Sequence, residues 1–336
     1  MATIKQIAEK AGVSSATVSR VLNNDASMAV SDATRARIFA AAEELQYKPT
    51  RLKRLKQEGM LANQQIGLLL SLSVEEESSD PYFASIRRGI ETRCEELGLS
   101  IGKVWRLNSG MELQPSHQLS GLIAVGTIAQ ETIVHLIGHT DRVVLVDHWE
   151  QLSDYDSVHL NFRQAVNSVV DHLLQLGHQT IAYIGGDSDE GFDPRTRHFK
   201  ERLAKQGLLK EELILHAGDW STNGGYEQMK ALLLQNNRPT ACFIGSDPMA
   251  VGALRALHEH GVDIPNEMAI VGFDDIEMSA FLSPPLSTVK AYTEQMGKTA
   301  VQLLMERIEG REASMEVTIE TKLIIRESCG GLAANS

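Results

Sequence analysis

Residues 3–23 read TIKQIAEKAGVSSATVSRVLN. Ile4, Ile7, Ala8 and Ala11 recur at i, i+3, i+4 and i+7, which puts one apolar face on a short helix. Thr3 with Gln6 supplies a capping box at its start. Gly12 falls where a left-handed residue ends a helix, and Val13 is expected as a buried turn residue after it. Ser14 then caps a second helix over 16–22, which turns Val18, Val21 and Leu22 toward the first. The pattern predicts a helix-turn-helix. Ser15, Ala16, Ser19 and Arg20 lie off the apolar face, and an exposed helix of this size fits the major groove of B-DNA. Arg20 is the only long donor among them and can pair with the O6 and N7 edge of a guanine, while Ser15 and Ala16 let the backbone approach. The same spacing also describes a compact helical hairpin with a solvated arginine. The density of AGVS followed by TVSR favours DNA reading.

The chain has 336 residues with 43% hydrophobic content, enough for two or three domains with large buried cores. Its formal charge of -12 is unevenly spread. Residues 1–58 carry ten Lys or Arg against six acids, a formal +4 that leaves -16 on the remainder. A small basic module on an acidic body suits phosphate contact at one end and repulsion of nucleic acid elsewhere. Cys94, Cys242 and Cys329 are widely spaced without a C-x-x-C pair, so neither a disulfide framework nor a zinc site is indicated, and they read as reduced cytoplasmic thiols. Lys5, Glu9 and Lys10 break any apolar leader, and no later run reaches 18 apolar residues. The expectation is a cytoplasmic protein with no membrane partner, no metal and no cofactor.

After a polar loop over 23–30, Ser31 can cap a third helix over 32–45, with Ile38, Ala41, Ala42 and Leu45 inward. Three helices close a minimal head. Residues 47–50, YKPT, break that pattern, and 51–58 follow as a short basic, helix-compatible segment. This segment is either a charged flexible linker or a hinge helix whose Leu52 or Leu55 wedges a minor-groove base step. From Gln65 onward, short apolar runs alternate with helical patterns as in βαβ units. Strands are expected at 66–72, 99–104, 121–125 and 143–146, with helices at 82–97 and 130–137 between them. A second series follows, with helices at 164–176, 197–206, 225–235 and 249–260 and strands at 181–184, 214–216, 241–244 and 269–273. The last pieces are 287–290, a helix at 293–308 and a strand at 321–326. Two consecutive α/β lobes result.

Ligands of open parallel sheets gather at the carboxyl ends of strands, so facing lobes enclose a cleft there. Asp147, Ser246 with Asp247, and Asp274 with Asp275 follow strands and are candidates. Each taken alone also fits a helix cap or turn. As a convergent set with Trp220, whose flat face can cover a sugar ring, they point to a polyol. A sugar enzyme would also use paired acids, but the chain has no G-x-S-x-G, no H-E-x-x-H and no Gly-rich phosphate loop, and a regulator that is not an enzyme is expected. His258 and His260 are two apart on a helix and face different ways.

Several long motifs occur in order: IAEKAGVSSATVSRVLN, YKP, DPYF with GIE, LGHQTIAYIGG, SDPMAVGALRALHEHGVDIP, IVGFDDIE, PPLSTV and KLIIRES. Over essentially its whole length the chain resembles the LacI/GalR family of bacterial transcription repressors. The resemblance implies an all-α helix-turn-helix head plus an α/β core of two Rossmann-like lobes of periplasmic-binding-protein-like type. It also implies a homodimer whose paired heads read a near-palindromic double-stranded DNA operator. The expected divisions are a head at 1–48, a hinge at 49–60 and a core at 61–336. Within the core the N-lobe takes about 61–160 plus 292–318, and the C-lobe about 161–291 plus 319–330.

Carried onto this sequence, the DNA surface comprises Thr3, Ser14, Ser15, Ala16, Thr17, Ser19, Arg20, Asn23, Arg51, Leu52 and Leu55. The effector set comprises Asp80, Asp147, Arg195, Trp220, Ser246, Asp247, Phe273 and Asp274. The sequence GDWS followed by GGY is closest to galactoside-responsive members, so the resemblance implies a small sugar effector, a galactoside acting as inducer. The alternative is a co-repressor-dependent member that binds a different small molecule. The chain departs from the family pattern in a hinge one residue shorter, with Leu52 where an alanine usually stands, and at Ser246 and Ala291, where other members carry different polar side chains. No heptad pattern follows Arg326, so a dimer is expected rather than a tetramer.

Overall fold

The computed structural model describes residues 4–22, 30–45, 64–107, 113–116, 118–148, 152, 154–186, 193–235 and 237–331. Thr3, Asn23, Arg51, Leu52 and Leu55, and with them the whole expected hinge, lie outside the described residues.

The head holds α1 (Ile4–Ala11), α2 (Ser15–Leu22) and α3 (Asp32–Glu44). Gly12 takes φ +67°, the left-handed conformation that ends α1, and the Val13 amide returns to the Ala8 carbonyl at 3.0 Å. Ser14 Oγ accepts the Thr17 amide at 3.1 Å, and Ser31 Oγ accepts that of Thr34 at 3.3 Å, so both expected caps are made. Ile7, Ala8, Ala11, Val18, Val21, Ile38, Ala41 and Ala42 are buried together. Val13, expected to be buried, is only partly so, and packs on this core with Leu22 and Leu45. The mixture of small and β-branched side chains lets three short helices approach closely.

The core is built on two six-stranded sheets. The first takes β1 (Gln65–Leu70), β2 (Ser100–Arg106), β3 (Gly121–Val125), β4 (Val143–Val146) and β5 (Asp156–Leu160), with helices α4 (Val74–Ser79), α5 (Pro81–Leu97) and α6 (Gln130–Ile137) between strands. The chain then builds α7 (Phe162–Gln175), β6 (Ile181–Gly185), α8 (Pro194–Lys205), β7 (Ile214–His216), α9 (Thr222–Leu233), β8 (Ala241–Ile244), α10 (Asp247–Glu259), β9 (Ala269–Asp274) and β10 (Ser287–Lys290). Helix α11 (Thr293–Ile308) and strands β11 (Glu316–Ile319) and β12 (Lys322–Ile324) complete it. Strand orders are β11-β5-β4-β3-β1-β2 and β12-β10-β9-β8-β6-β7. The chain therefore crosses from one sheet to the other after β5, after β10 and after β11. Pairing is parallel from β1 through β3, β4 and β5 to β11, and from β7 through β6, β8 and β9 to β10; β12 runs antiparallel on β10.

Strands β3, β4, β6 and β8 are buried along their full length, as strands covered by helices on both faces must be. The short helix α4 and the strands β5 and β11 were not expected from the sequence. β5 opens on Asp156, which is 0% exposed and takes Arg307 Nε at 3.1 Å, the Met315 amide at 2.9 Å and the guanidinium of Arg311. That fully partnered carboxylate fastens α11 and the approach to β11 against the sheet. In the second lobe α9 and α10 touch backbone to backbone. A Cβ at Gly225 would lie 2.1 Å from the Met249 carbonyl oxygen, and one at Gly252 1.8 Å from that of Thr222, so only glycine permits this approach. No described helix is long and apolar enough to cross a membrane.

Candidate ligand-binding cleft

The carboxyl ends of β4 and β9 carry Asp147 at φ +55° and Asp274 at φ +117°. With Asp275 they are the only non-glycine residues at positive φ among those described. Such geometry costs on the order of 1–3 kcal/mol per residue and persists where surrounding structure enforces it, which singles out the two strand ends. A cavity of about 90 Å³ lies there, lined by Asp80, Tyr82, Phe83, Asp147, Phe162, Asp193, Arg195, Trp220, Ser246, Pro248 and Asp274.

Arg195 sits at its centre. Its Nε donates to Asp193 Oδ1 at 2.9 Å and its Nη1 to the Gly245 carbonyl at 2.9 Å. Asp193 is buried as the N-cap of α8, receiving the Arg195 amide at 3.1 Å and the Tyr183 hydroxyl at 2.9 Å. Burial works against the charge on Arg195, but the negative groups of Asp193 and Asp274 hold its pKa above the usual arginine value.

The guanidinium lies 3.9 Å above the Trp220 ring centroid, and 5.5 and 5.4 Å from the Phe162 and Phe273 rings, which themselves stack at 5.6 Å. The indole also abuts Gly186, where a Cβ would come within 2.3 Å of Cδ2. Trp220 is thus packed between a glycine and the arginine. The open aromatic face expected from the sequence is covered by the Arg195 guanidinium.

Two acceptors are left over. Asp147 Oδ1 and Asp274 Oδ1 are buried with no hydrogen-bond partner, in residues 5% and 8% exposed. An unmet buried acceptor costs about 1–3 kcal/mol; Tyr82 hydrogen-bonds the Asp147 side chain and the Asp247 amide donates to Asp274 Oδ2, so the unmet capacity is one oxygen on each carboxyl. Burial raises the Asp147 carboxyl to about 6 against the opposing charge of Arg195. Asp274 is pushed well above its ordinary value by burial and by the nearby charges of Asp247 and Asp80. Asp80 is raised by burial while its Oδ1 receives the Tyr82 amide at 2.9 Å.

Six of the eight expected effector residues meet here: Asp80, Asp147, Arg195, Trp220, Ser246 and Asp274. Two are displaced. Asp247 is 0% exposed and its carboxylate is consumed internally by Ser279 Oγ at 2.6 Å, Thr288 Oγ1 at 2.7 Å and the Ile276 amide at 3.1 Å. It braces β10 and the turn after β9, with no oxygen left for a ligand. Phe273 is also 0% exposed and supports Phe162 from behind instead of lining the cavity. Tyr82, Phe83, Phe162, Asp193 and Pro248 line the cleft although the sequence reading missed them.

In the head, Ser14, Ser15, Ala16 and Arg20 are exposed, and Thr17 and Ser19 partly so. Among the described residues no group of three or more His, Cys, Asp or Glu is arranged to hold a metal ion.

Two parallel-sheet lobes around a polar cleft, in a chain that also carries a helix-turn-helix, define a ligand-responsive DNA-binding regulator. Comparison with known proteins makes the assignment specific. Residues 3–50 match the model of "Bacterial regulatory proteins, lacI family", and residues 170–329 match "Periplasmic binding protein-like domain". The chain is 42% identical to the HTH-type transcriptional repressor MelR of Bacillus subtilis (strain 168), covering 98% of both. It is 34% identical to the HTH-type transcriptional regulator GanR of the same organism, over 98% of this chain and 99% of that one. Among solved structures, the lac repressor dimer bound to operator and the anti-inducer ONPF superposes with TM-score 0.69 at 27% identity, over 98% of this chain and 99% of that one. The complex of transcriptional regulator CelR with cellobiose gives TM-score 0.68 at 26% identity, over 98% and 100%. The chain belongs to the lacI family of bacterial transcriptional repressors.

Proposed function

We propose that this repressor acts as a cytoplasmic homodimer on a near-palindromic operator of sugar-utilisation genes, and that a neutral sugar, a galactoside, releases it. Head, hinge and two-lobed core divide as the sequence reading has them. Ser15, Ala16 and Arg20 read base edges, with Ser14, Thr17 and Ser19 beside them. Thr3, Asn23, Arg51, Leu52 and Leu55 are proposed DNA contacts on the resemblance alone. The cleft works by binding, without catalysis or cofactor.

The observation that carries the effector class is the pair of buried, unpartnered acceptor oxygens on Asp147 and Asp274. A sugar presents donors to both. An anion would instead meet Asp80, Asp147, Asp193 and Asp274 with only Arg195 as cation, and Arg195 is already paired to Asp193. The related CelR structure holds cellobiose, and a lacI-family regulator from Enterococcus faecium at 26% identity holds ribose, which supports a sugar without fixing which one. Galactose as the recognised ring rests on the GDWS and GGY segments around Trp220.

The inducing sign follows if the sugar prefers a lobe arrangement whose dimer separates the hinges, an equilibrium it shifts only by its differential affinity. Calorimetric titration with galactosides, on the native chain and on Trp220→Ala, tests the ring, and operator binding with and without sugar tests the sign. Loss of galactoside affinity in the variant is expected, through lost support of the Arg195 guanidinium that the indole holds in place. Equal affinity removes the galactoside reading, and tighter operator binding with sugar removes the inducer.

A further inference from the structure

The acidic cleft is not the end of the cavity system in the core. A second chamber of about 760 Å³, open to solvent along the exposed Ser314, Met315, Glu316 and Thr318, meets the cleft at Phe162. Phe162 lines both. At the start of α8, Asp193 and Arg195 line the cleft while Pro194 between them lines the chamber. The partition is therefore one aromatic ring and one turn of chain.

The two spaces differ in charge. The cleft gathers four carboxylates around one guanidinium. The ionised groups of the chamber are Arg163 and Glu316, one of each sign. The rest of its polar lining is hydroxyl, amide and imidazole. Burial lowers the pKa of His159, opposed by the charge of Glu316, and likewise lowers that of His198, opposed by its hydrogen bond to Glu201, so both rings are neutral above pH 7. Tyr155 and Phe162 supply flat apolar surface. Neutral hydrogen-bonding groups interleaved with aromatic faces suit a polyhydroxylated ring and give neither the cations an anion needs nor the carboxylates an amine needs.

We infer that the effector is an oligosaccharide, with its terminal ring held in the acidic cleft and at least one further sugar unit running past Phe162 into the chamber beyond. This deepens the sugar reading above and rests on it.

The two are separated by titrating the full-length protein calorimetrically with a methyl glycoside, a disaccharide and a trisaccharide that share one terminal ring, in galactosyl and glucosyl series. Thr318 is exposed on β11, pairs with His159 on β5 and lines the chamber but not the cleft, so Thr318→Trp sets bulk beside His159 without touching the first ring. His159→Ala removes one donor from the chamber and is the second variant. The disaccharide is expected to bind the native chain roughly tenfold or more tighter than the methyl glycoside, as an added ring with a few satisfied contacts provides. Thr318→Trp should erase that preference and leave the methyl glycoside within about twofold, and His159→Ala should reduce it. A methyl glycoside that binds as tightly as the longer sugars, or a preference that survives Thr318→Trp, overturns the chamber assignment and leaves the sugar reading standing. Binding of no sugar in either series overturns both.

Discussion

Asp147 offers a measurable trade of stability for binding. Its carboxyl ordinarily titrates at 3.8 and is raised to about 6 in the fold, first by burial, with Arg195 opposing. A raised acid binds its proton more tightly when folded, so its contribution to stability is fully present below 3.8 and is lost as pH rises toward 6. Above that, the folded state carries a destabilisation of about 3 kcal/mol, at 1.36 kcal/mol for each pH unit of the displacement. Asp147→Asn keeps the shape and removes the charge. Allowing for an amide whose own groups are imperfectly met, the thermal midpoint at pH 8 should rise by about 3 °C, since 1 kcal/mol is worth roughly 1.5 °C for a chain of 336 residues. At pH 5 the advantage should shrink toward zero. The assay is scanning calorimetry of the full chain without ligand at both pH values, followed by the same scans with a binding sugar, where the native chain should gain and the variant should not. A variant that melts at or below the native temperature at pH 8 refutes the argument that burial of the Asp147 charge, with one oxygen unmet, costs the fold stability.

Arg20→Ala should cost about 1–3 kcal/mol of discrimination between operator and scrambled DNA while leaving the fold intact, read by gel-shift titration; unchanged specificity removes Arg20 from base reading. Sedimentation at micromolar concentration should give a dimer, and a stable tetramer would contradict the reading of the segment after Arg326. Asp247→Ala strands Ser279, Thr288 and the Ile276 amide, all now bonded to its carboxylate, and should lower stability by about 2–4 kcal/mol in a denaturant titration. A variant as stable as the native chain would mean that this buried carboxylate is not the brace we describe.

The elements read accurately from sequence are short apolar strands and helices with a clear apolar period. Strands 121–125, 143–146, 214–216, 241–244 and 287–290 and helices 130–137 and 293–308 fall where expected. β5 and β11 escaped because their side chains alternate between buried and less buried positions, and β5 begins with an aspartate that reads as a turn until its arginine partners are seen. In the cleft, Ser246 and Asp247 are adjacent after one strand, yet only the first faces the cavity. Ser246 is the N-cap of α10 and Asp247 its first residue, so a single step of helix rotation turns the carboxylate underneath. One signal for the missed Asp193 was available. Asp80–Pro81, Asp193–Pro194 and Ser246–Asp247–Pro248 each join a capping residue to a proline within the first two helical positions, and all three helix starts border the cleft.

The same arrangement explains how a small neutral molecule can move two lobes. Asp147 ends a strand of the first sheet and Asp274 a strand of the second, and each presents an unpartnered oxygen to the shared cavity. Burial and neighbouring carboxylates, Asp193 and Asp80 for Asp147 and Asp247 and Asp80 for Asp274, disfavour charge on both groups, and Arg195 answers only part of it because Asp193 holds it. A sugar hydroxyl donating to each unpartnered oxygen makes two hydrogen bonds that exist only when both lobes contribute. The ligand thereby gains its differential affinity for one lobe arrangement, which is the quantity that shifts a population. Displacing Arg195 to uncover Trp220 would strand the buried Asp193 and the Gly245 carbonyl, so the sugar is better placed against the guanidinium, with the indole fixing the plane of that guanidinium from behind. On this account Asp147→Asn and Asp274→Asn should each weaken sugar binding, and the double variant should lose little more than either single one, because a bridge is broken by removing either end.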